Sequence, residues 1–233
     1  MAGHSLKLAN NPSPRKQYKL TNWPRYKTIE KIILKKPQKN KYDAEFFKVI
    51  NNRRSYRTFL RGLDVEELSE LLWFLAKVHK ITIDSYKNII EYYSNTPSSG
   101  ALKTIDIFII DIKGLSDNLF YYNAIDHSLD LIESNHEDTK QLRGEVKKVL
   151  DYEIGTILIF GAYLKNIKAK YEHPENLVWR DSGAYYASTY LVAEALDIGC
   201  CGLGIIFEPF LSNILKNKIT YGVGGVVLGK KIN

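Results

Sequence analysis

A compact group of cationic and hydroxyl side chains occurs at Arg53-Arg54-Ser55-Tyr56-Arg57. A guanidinium offers paired donors that match phosphate oxygens, and a serine hydroxyl adds a short O–H donor. The group could therefore surround one phosphate, and its candidate ligands are Arg53, Arg54, Ser55 and Arg57. The alternative is a solvated basic turn, which is common in a chain with a net charge of +7.

A loop of small residues precedes a strongly apolar run. The loop is Thr96–Gly100, and the run is Ile105–Ile110, which is rich in β-branched residues and predicts a buried strand. A loop of small residues lets the backbone approach a ligand, so its N–H and C=O groups could hold a planar cofactor. The candidates are Pro97, Ser98, Ser99 and Gly100. A plain turn before a core strand is the alternative.

The spacing of apolar residues predicts the helices and strands that must position these groups. Asp64 is a candidate N-cap of a strong helix, and Arg180–Ile198 predicts a second one that ends at Gly199. Leu119–Asn123 and Ser128–Ile132 predict a hairpin. Helices and antiparallel strands alternate without a dinucleotide-binding fingerprint, so the predicted class is α+β.

The first part of the chain differs in composition from the rest. Residues 1–42 are polar, basic and interrupted by prolines, with one helical pattern at Ile29–Leu34. We expect an N-terminal arm that carries a short helix and could wrap a neighbouring subunit. Residues 43–233 are then expected to form one domain, since they are long enough to bury a sizeable core.

Composition excludes several classes of protein. Hydrophobic residues make up 45% of the chain and charged residues 25%, which are ordinary globular values. No run reaches membrane-spanning length, and the start lacks the apolar core of a signal peptide. The two cysteines, Cys200 and Cys201, are adjacent and so are expected to be reduced thiols in a cytoplasmic protein. We find neither zinc-site spacing nor a nucleic-acid-binding motif.

Four motifs in order resemble the nitroreductase superfamily of FMN-dependent enzymes. They are Arg-Arg-Ser-x-Arg-x-Phe from Arg53, Pro-Ser-Ser-Gly-Ala-Leu from Pro97, a Gly-Leu before a Tyr-rich hairpin, and Asp181-Ser182-Gly183 in an Ala-rich helix. The second motif is similar to that of the SagB-type dehydrogenases. The resemblance spans about residues 50–229. It implies an α+β nitroreductase-like fold with a central, mainly antiparallel sheet flanked by helices.

The resemblance also implies a homodimer with FMN between the subunits. The arginine group would hold the phosphate and ribityl end, and Pro97–Gly100 would line the isoalloxazine. Backbone at Gly202, Leu203 and Gly204 would lie against the flavin, and Lys230 would reach towards the phosphate. A simple turn and a solvated tail are the respective alternatives.

The SagB-type branch includes oxidases that convert thiazolines and oxazolines in ribosomally made peptides to thiazoles and oxazoles. Their catalytic Lys-Tyr pair precedes the Asp-x-Gly helix, and Lys170-Tyr171 stands at about that place, although Lys41-Tyr42 is another such pair. Removing a hydride and a proton from adjacent ring atoms needs a flavin and a proton acceptor, which a desolvated Lys beside a Tyr could supply. The implied partners are the peptide and cyclodehydratase subunits.

Two other functions stay open, because the chain departs from the branch's pattern. Lys103 and Asp106 replace its Tyr and Glu, and residues 172–179 lack its Arg-Gly-Tyr. These departures leave the substrate open and make Lys103 and Asp106 the first candidates for substrate choice. The alternatives are an NAD(P)H-dependent nitro- or quinone reductase and a non-catalytic flavin-binding subunit of the same fold.

Overall fold

A computed structural model describes residues 11–16, 18–19, 26–38, 42–84, 89–115, 117–151, 155–216 and 219–232. The helices are α1 (Phe46–Asn52), α2 (Val65–Ala76), α3 (His136–Lys147), α4 (Leu164–Lys170), α5 (Glu175–Ala195) and α6 (Phe210–Ile214). The strands are β1 (Ser13–Pro14), β2 (Lys31–Ile33), β3 (Val78–Asp84), β4 (Ile89–Ser94), β5 (Ile105–Ile110), β6 (Leu119–Asn123), β7 (Ser128–Ile132), β8 (Thr156–Tyr163), β9 (Tyr171–Glu172), β10 (Ile198–Leu203) and β11 (Thr220–Lys230).

A seven-stranded antiparallel sheet forms the centre of the fold, in the order β10-β11-β8-β5-β6-β7-β2. Every residue of β5 and β8 is buried. Alternate residues of β5 enter two different apolar clusters, Ile107 and Ile109 in one and Phe108 and Ile110 in the other. Since successive strand residues point to opposite faces, both faces of the sheet are covered. The predicted α+β class and antiparallel sheet are confirmed.

The N-terminus of α2 forms as the sequence predicts. The Asp64 side chain accepts the N–H of Glu67 at 3.0 Å, and the Glu67 carboxylate accepts the N–H of Asp64 at 3.2 Å. This reciprocal pair is a capping box. It fixes the start of a helix whose apolar face is wholly buried, at Leu68, Leu71, Leu72, Leu75 and Ala76. The predicted hairpin of β6 and β7 also forms.

The helix expected at Ile29–Leu34 is wrong. Lys31–Ile33 is instead the edge strand β2, which pairs with β7 so that Lys31 lies opposite Asp130. A helical segment this short cannot form alone, because the first turn fixes many torsions for one hydrogen bond. The open edge of β7 offers a full set of backbone partners, and pairing with it prevails.

The second predicted helix, α5, differs at both ends. It begins at Glu175, so Asp181 lies well inside the helix rather than at its start. It ends at Ala195, and the left-handed residue that follows is Asp197, with φ of 56°. Gly199 is a residue of β10 and does not end the helix. Asp tolerates the left-handed region better than most residues, so a glycine is not required there.

Two small sheets lie outside the central one. β3 and β4 form a hairpin that was not predicted from the sequence, and β1 pairs with β9. Across the described ranges, no helix is long and apolar enough to cross a membrane. In the same ranges, no group of three or more His, Cys, Asp or Glu residues could hold a metal ion.

Candidate functional site

The helix α5 contacts both regions that the sequence singled out, and one of its faces carries a row of hydroxyl side chains. Ser182, Tyr186 and Tyr190 follow one another at intervals of four residues, so their side chains share that face. The Ser182 hydroxyl donates to the carbonyl of Val223 at 3.0 Å, and the Tyr186 hydroxyl donates to the carbonyl of Leu203 at 2.7 Å. The helix is thereby fixed against β10 and β11.

The arginine group lies at the C-terminal part of this face. The Ser55 and Tyr190 hydroxyls are 3.0 Å apart, and the Arg53 guanidinium lies 5.2 Å from the centre of the Tyr190 ring. The Tyr190 hydroxyl also accepts the N–H of Gly202 at 2.6 Å. The structure therefore brings together Arg53, Ser55 and Gly202, which are predicted site residues from distant parts of the chain.

The charges of the arginine group are not neutralised by neighbouring carboxylates. Among the described residues, Arg53, Arg54 and Arg57 have no ion-pair partner, whereas Arg61 binds Glu67 at 2.6 Å. Arg54 donates to the carbonyls of Asn51 and Arg53, each at 2.8 Å, at the end of α1. The group thus offers cationic donors to an anion, with Arg54 partly used as a helix cap.

The Ser98–Gly100 loop lies against a different face of α5, at Asp181. The Asp181 carboxylate accepts the Ser99 N–H at 3.0 Å and the Ser99 hydroxyl at 2.7 Å. Burial raises the pKa of Asp181, and the bonds from Ser99 oppose part of that rise. Asp181 and Tyr190 are nine residues apart, or roughly 13 Å along the helix. The loop and the arginine group are separate parts of the candidate site.

The backbone of this loop is strained. Gly100, Ala101 and Lys103 all have positive φ, at 61°, 54° and 46°. At Gly100 a Cβ atom would lie 2.6 Å from the Tyr171 hydroxyl and 2.9 Å from Lys170 Nζ. Glycine is favoured there, because a side chain would need the left-handed torsion and would push the ends of Tyr171 and Lys170 aside. Strain of this kind often marks a functional site.

Lys170 and Tyr171 lie beside this loop, at the end of α4 and the start of β9. Lys170 Nζ donates to the carbonyl of Gly100 at 3.1 Å. Burial lowers the pKa of Lys170, and the negative charge of Glu91 opposes part of that effect. Burial is also the main cause of the raised pKa of Tyr171. An amine whose charged form is destabilised is suited to accepting a proton.

The remaining predicted residues lie at the edges of these two groups. The Leu203 carbonyl binds Tyr186, and Gly204 is exposed with open space where a Cβ would be. Pro97 is exposed at the start of the loop. Lys230 ends β11, where its backbone bonds to Leu60 and Arg61, just after the arginine group. No described contact joins Gly204, Pro97 or the Lys230 side chain to another predicted site residue.

Lys103 and Asp106 do not face a binding site. Both side chains are 0% exposed, and their charged groups lie 3.7 Å apart. Asp106 also accepts the Tyr26 hydroxyl at 2.7 Å. Neither buried side chain is exposed for contact with a substrate, and a role of the pair in substrate choice stays a prediction. The pair stabilises the strand that follows the loop and attaches the segment around Tyr26 to it.

Tyr186, Tyr190 and Asp181 were not among the predicted site residues, although they hold both groups in place. The four-residue spacing of Ser182, Tyr186 and Tyr190 on a predicted helix was a usable signal. That spacing marks a shared face, but a sequence does not show what the face contacts.

Comparison with known proteins agrees with this architecture. Residues 50–224 match the Nitroreductase family. No curated protein matches the chain at the sequence level. A candidate nitroreductase from Ralstonia eutropha is 20% identical with a TM-score of 0.67, over 96% of this chain and 100% of that one.

Two further solved structures share the fold. A candidate nitroreductase from Anabaena variabilis is 21% identical with a TM-score of 0.59, over 79% of this chain and 38% of that one. The Escherichia coli microcin synthetase McbBCD complex with truncated pro-MccB17 bound contains a chain that is 13% identical with a TM-score of 0.57, over 94% of this chain and 80% of that one. Since the family match covers most of the sequence, the chain belongs to the Nitroreductase family.

Proposed function

We propose that this protein is an FMN-dependent oxidoreductase that oxidises thiazoline or oxazoline rings of a ribosomally made peptide to thiazoles or oxazoles. Family membership supports the flavin chemistry. The observation that carries the substrate class is the position of Lys170 and Tyr171, where a half-buried amine of lowered pKa lies 3.1 Å from the Gly100 carbonyl. The likeness to a chain of a peptide-bound microcin synthetase is in keeping with it.

The residues of the arginine group fit the phosphate end of FMN. Arg53 and Arg57 offer guanidinium donors that no described carboxylate neutralises, and Ser55 adds a hydroxyl on an exposed surface. Gly202 and Leu203 present backbone next to them through their bonds to Tyr190 and Tyr186. Bound FMN would supply the hydride acceptor of the reaction.

Lys170 and Tyr171 move the proton in this proposal. Aromatising the ring breaks one C–H bond as a hydride and an adjacent C–H bond as a proton, and the ring gains a double bond. The neutral Lys170 amine takes the proton, and the Gly100 carbonyl holds that amine in position. The Tyr171 hydroxyl, close to the same glycine, orients or relays the proton. An external electron acceptor must then reoxidise the flavin.

A homodimer with FMN between the subunits is part of the proposal. The helix α1 presents Phe46 and Phe47 with 62% and 77% of their surfaces exposed, beside a groove of about 320 Å³ that α1, α2 and α5 line. An exposed apolar patch of this kind supports an interface. We also propose cyclodehydratase subunits as partners and a cytoplasmic location, which the two buried free cysteines favour.

A peptide assay tests the proposal. The FMN-loaded protein is incubated with a synthetic azoline-bearing peptide, and mass spectrometry is expected to show a loss of two hydrogens per ring. Lys170→Ala should retain FMN, judged by its absorbance, while peptide oxidation falls steeply. Unchanged oxidation by Lys170→Ala would remove the assigned role of the pair.

The second candidate is an NAD(P)H-dependent nitro- or quinone reductase. Its support is the family match, together with a structural neighbour that is a candidate nitroreductase. Rapid NAD(P)H oxidation with a nitroaromatic or quinone, and none with the peptide, would favour this function. Protein that stays colourless after soaking in FMN would exclude both enzymes and leave a structural subunit.

A further inference from the structure

The extended segment at residues 13–15 lies on the proposed catalytic pair. Ser13 and Pro14 of β1 pair with Glu172 and Tyr171 of β9 in antiparallel register. The Arg15 N–H donates to the carbonyl of Lys170 at 2.8 Å, and the Arg15 side chain binds Glu172 at 3.1 Å. An extended piece of chain therefore already runs along the strand that begins at Tyr171.

The hydrogen-bond pattern sets the orientation of Pro14. In an antiparallel ladder, hydrogen-bonded and non-hydrogen-bonded residue pairs alternate. Because Arg15 and Lys170 form a hydrogen-bonded pair, Pro14 and Tyr171 form the non-hydrogen-bonded pair next to it. The Pro14 nitrogen thus points away from β9, where a residue without an N–H costs the ladder nothing.

A thiazoline or oxazoline shares the relevant chemistry with proline. Each is a five-membered ring that contains a backbone nitrogen, the Cα and the Cβ of a residue, and each lacks the amide N–H. The position opposite Tyr171 requires no N–H from such a ring. Forming the azoline also removes the carbonyl oxygen of the preceding residue, so the peptide loses the one ladder acceptor that Ser13 offers to Glu172. Side chains of non-hydrogen-bonded pairs are also the closer ones, with Cα atoms about 4.5 Å apart.

The arm holds this position weakly. β1 has two residues, both exposed, and the Arg15 and Glu172 side chains that bind it are 45% and 51% exposed. An ion pair so open to water contributes little. A third strand cannot extend this sheet with full pairing, because Pro14 offers no N–H to the outer edge. A peptide that pairs with this edge of β9 must therefore replace β1.

We propose that β9 is the docking edge for the extended peptide substrate, and that residues 13–15 occupy it in the free protein as an internal mimic. The azoline takes the place of Pro14, opposite Tyr171. Glu172 favours a basic residue directly after the ring, as Arg15 is in the arm. This inference rests on the proposed peptide function and adds the binding edge, the orientation and a side-chain preference.

Arg15→Glu tests the mimic. The substitution turns the contact with Glu172 into a repulsion and should free the edge. The probe is a fluorescent peptide with the sequence of residues 11–16, added to full-length FMN-loaded protein and followed by anisotropy. Its affinity for Arg15→Glu should exceed that for the wild type by about two- to fivefold, the range that an exposed ion pair gives. Lys16→Glu, an equal charge change one residue on, should bind the probe like the wild type.

Charge reversal at Glu172 on β9 provides a second test of the proposal. Glu172→Arg should weaken binding of the Arg-containing probe, and Arg15→Glu/Glu172→Arg should restore the arm's pairing and return the affinity to the wild-type value or below. Equal probe affinity in Arg15→Glu and the wild type would overturn the docking proposal. Probe binding is independent of turnover. Enhanced binding without azoline oxidation would therefore contradict the proposed reaction alone, and oxidation with unchanged binding would contradict the docking edge alone.

Discussion

Two lysines flank the strained Ser98–Gly100 loop, and their surroundings differ completely. Lys103 is 0% exposed beside an equally buried Asp106, with 3.7 Å between their charged groups. Lys170 is half-buried, bonds only to a backbone carbonyl among the described contacts, and has a lowered pKa because of burial. A buried lysine beside a carboxylate is stabilised as a cation, whereas a partly desolvated lysine without one can lose its proton. Lys103 is therefore suited to stabilising the fold, and Lys170 is suited to accepting a proton.

The largest effect is expected from Lys170→Ala. Loss of a positioned proton acceptor typically lowers the rate by about 10²- to 10⁴-fold. The variant should keep the thermal midpoint of the wild type, because Lys170 makes one hydrogen bond to the loop. Steady-state peptide oxidation and thermal unfolding, measured on the same preparation, check both statements. A large drop in the midpoint would make Lys170 structural, like Lys103.

Lys103→Met should lower the free energy of unfolding. Removing one partner of a buried ion pair leaves the other charge uncompensated and costs about 3–5 kcal/mol of unfolding free energy. Urea unfolding measures this loss. Lys113→Met, at an exposed lysine, is the matched control and should change little.

A double substitution separates charge from packing at this pair. Lys103→Met/Asp106→Leu should recover much of the lost stability, because no unpaired charge then remains buried. If the double variant is less stable than Lys103→Met, the pair contributes through its other contacts, such as the bond from Tyr26, rather than through charge.

Arg53→Ala tests whether the arginine group, which also lacks carboxylate partners among the described residues, binds the cofactor. A charge-assisted hydrogen bond contributes about 1.5–3 kcal/mol, so FMN affinity should fall by about 10- to 100-fold. Fluorescence titration with FMN measures it. Arg180→Ala is the control, because Arg180 is exposed on α5 and also has no ion-pair partner among the described residues. Equal losses in the two variants would mean that FMN responds to overall charge and not to this group.

The smallest effect is the pH dependence of the rate. Only the neutral amine of Lys170 accepts a proton, so the rate should rise with pH and level off above the pKa of Lys170. Because burial lowers this pKa from its ordinary value of 10.5, the levelling should occur below that value. The rise is at most about tenfold per pH unit. A pH–rate profile of the wild type should show this inflection, and that of Lys170→Ala should lack it.

The elements that depend on residues close together in the chain could be predicted from the sequence. The capping box of α2, the buried strand at Ile105–Ile110 and the hairpin of β6 and β7 each depend on neighbouring residues, and all three were predicted. The prediction for Ile29–Leu34 was wrong for the opposite reason, because the strand there comes from pairing with β7, which is distant in the chain. The unpredicted hairpin of β3 and β4 and the two-residue β1 and β9 carry weak local signals.

For the site, residue types and spacing alone indicated which groups could bind a phosphate, approach a planar ring or accept a proton. The folded chain was needed to show that Tyr190 bonds to both Ser55 and Gly202, that Asp181 accepts from Ser99, and that Lys170 donates to Gly100. It also shows that Lys103 is buried beside Asp106. The physical reason is that burial and charge partners set the pKa and availability of a side chain, and both come from residues far away along the chain.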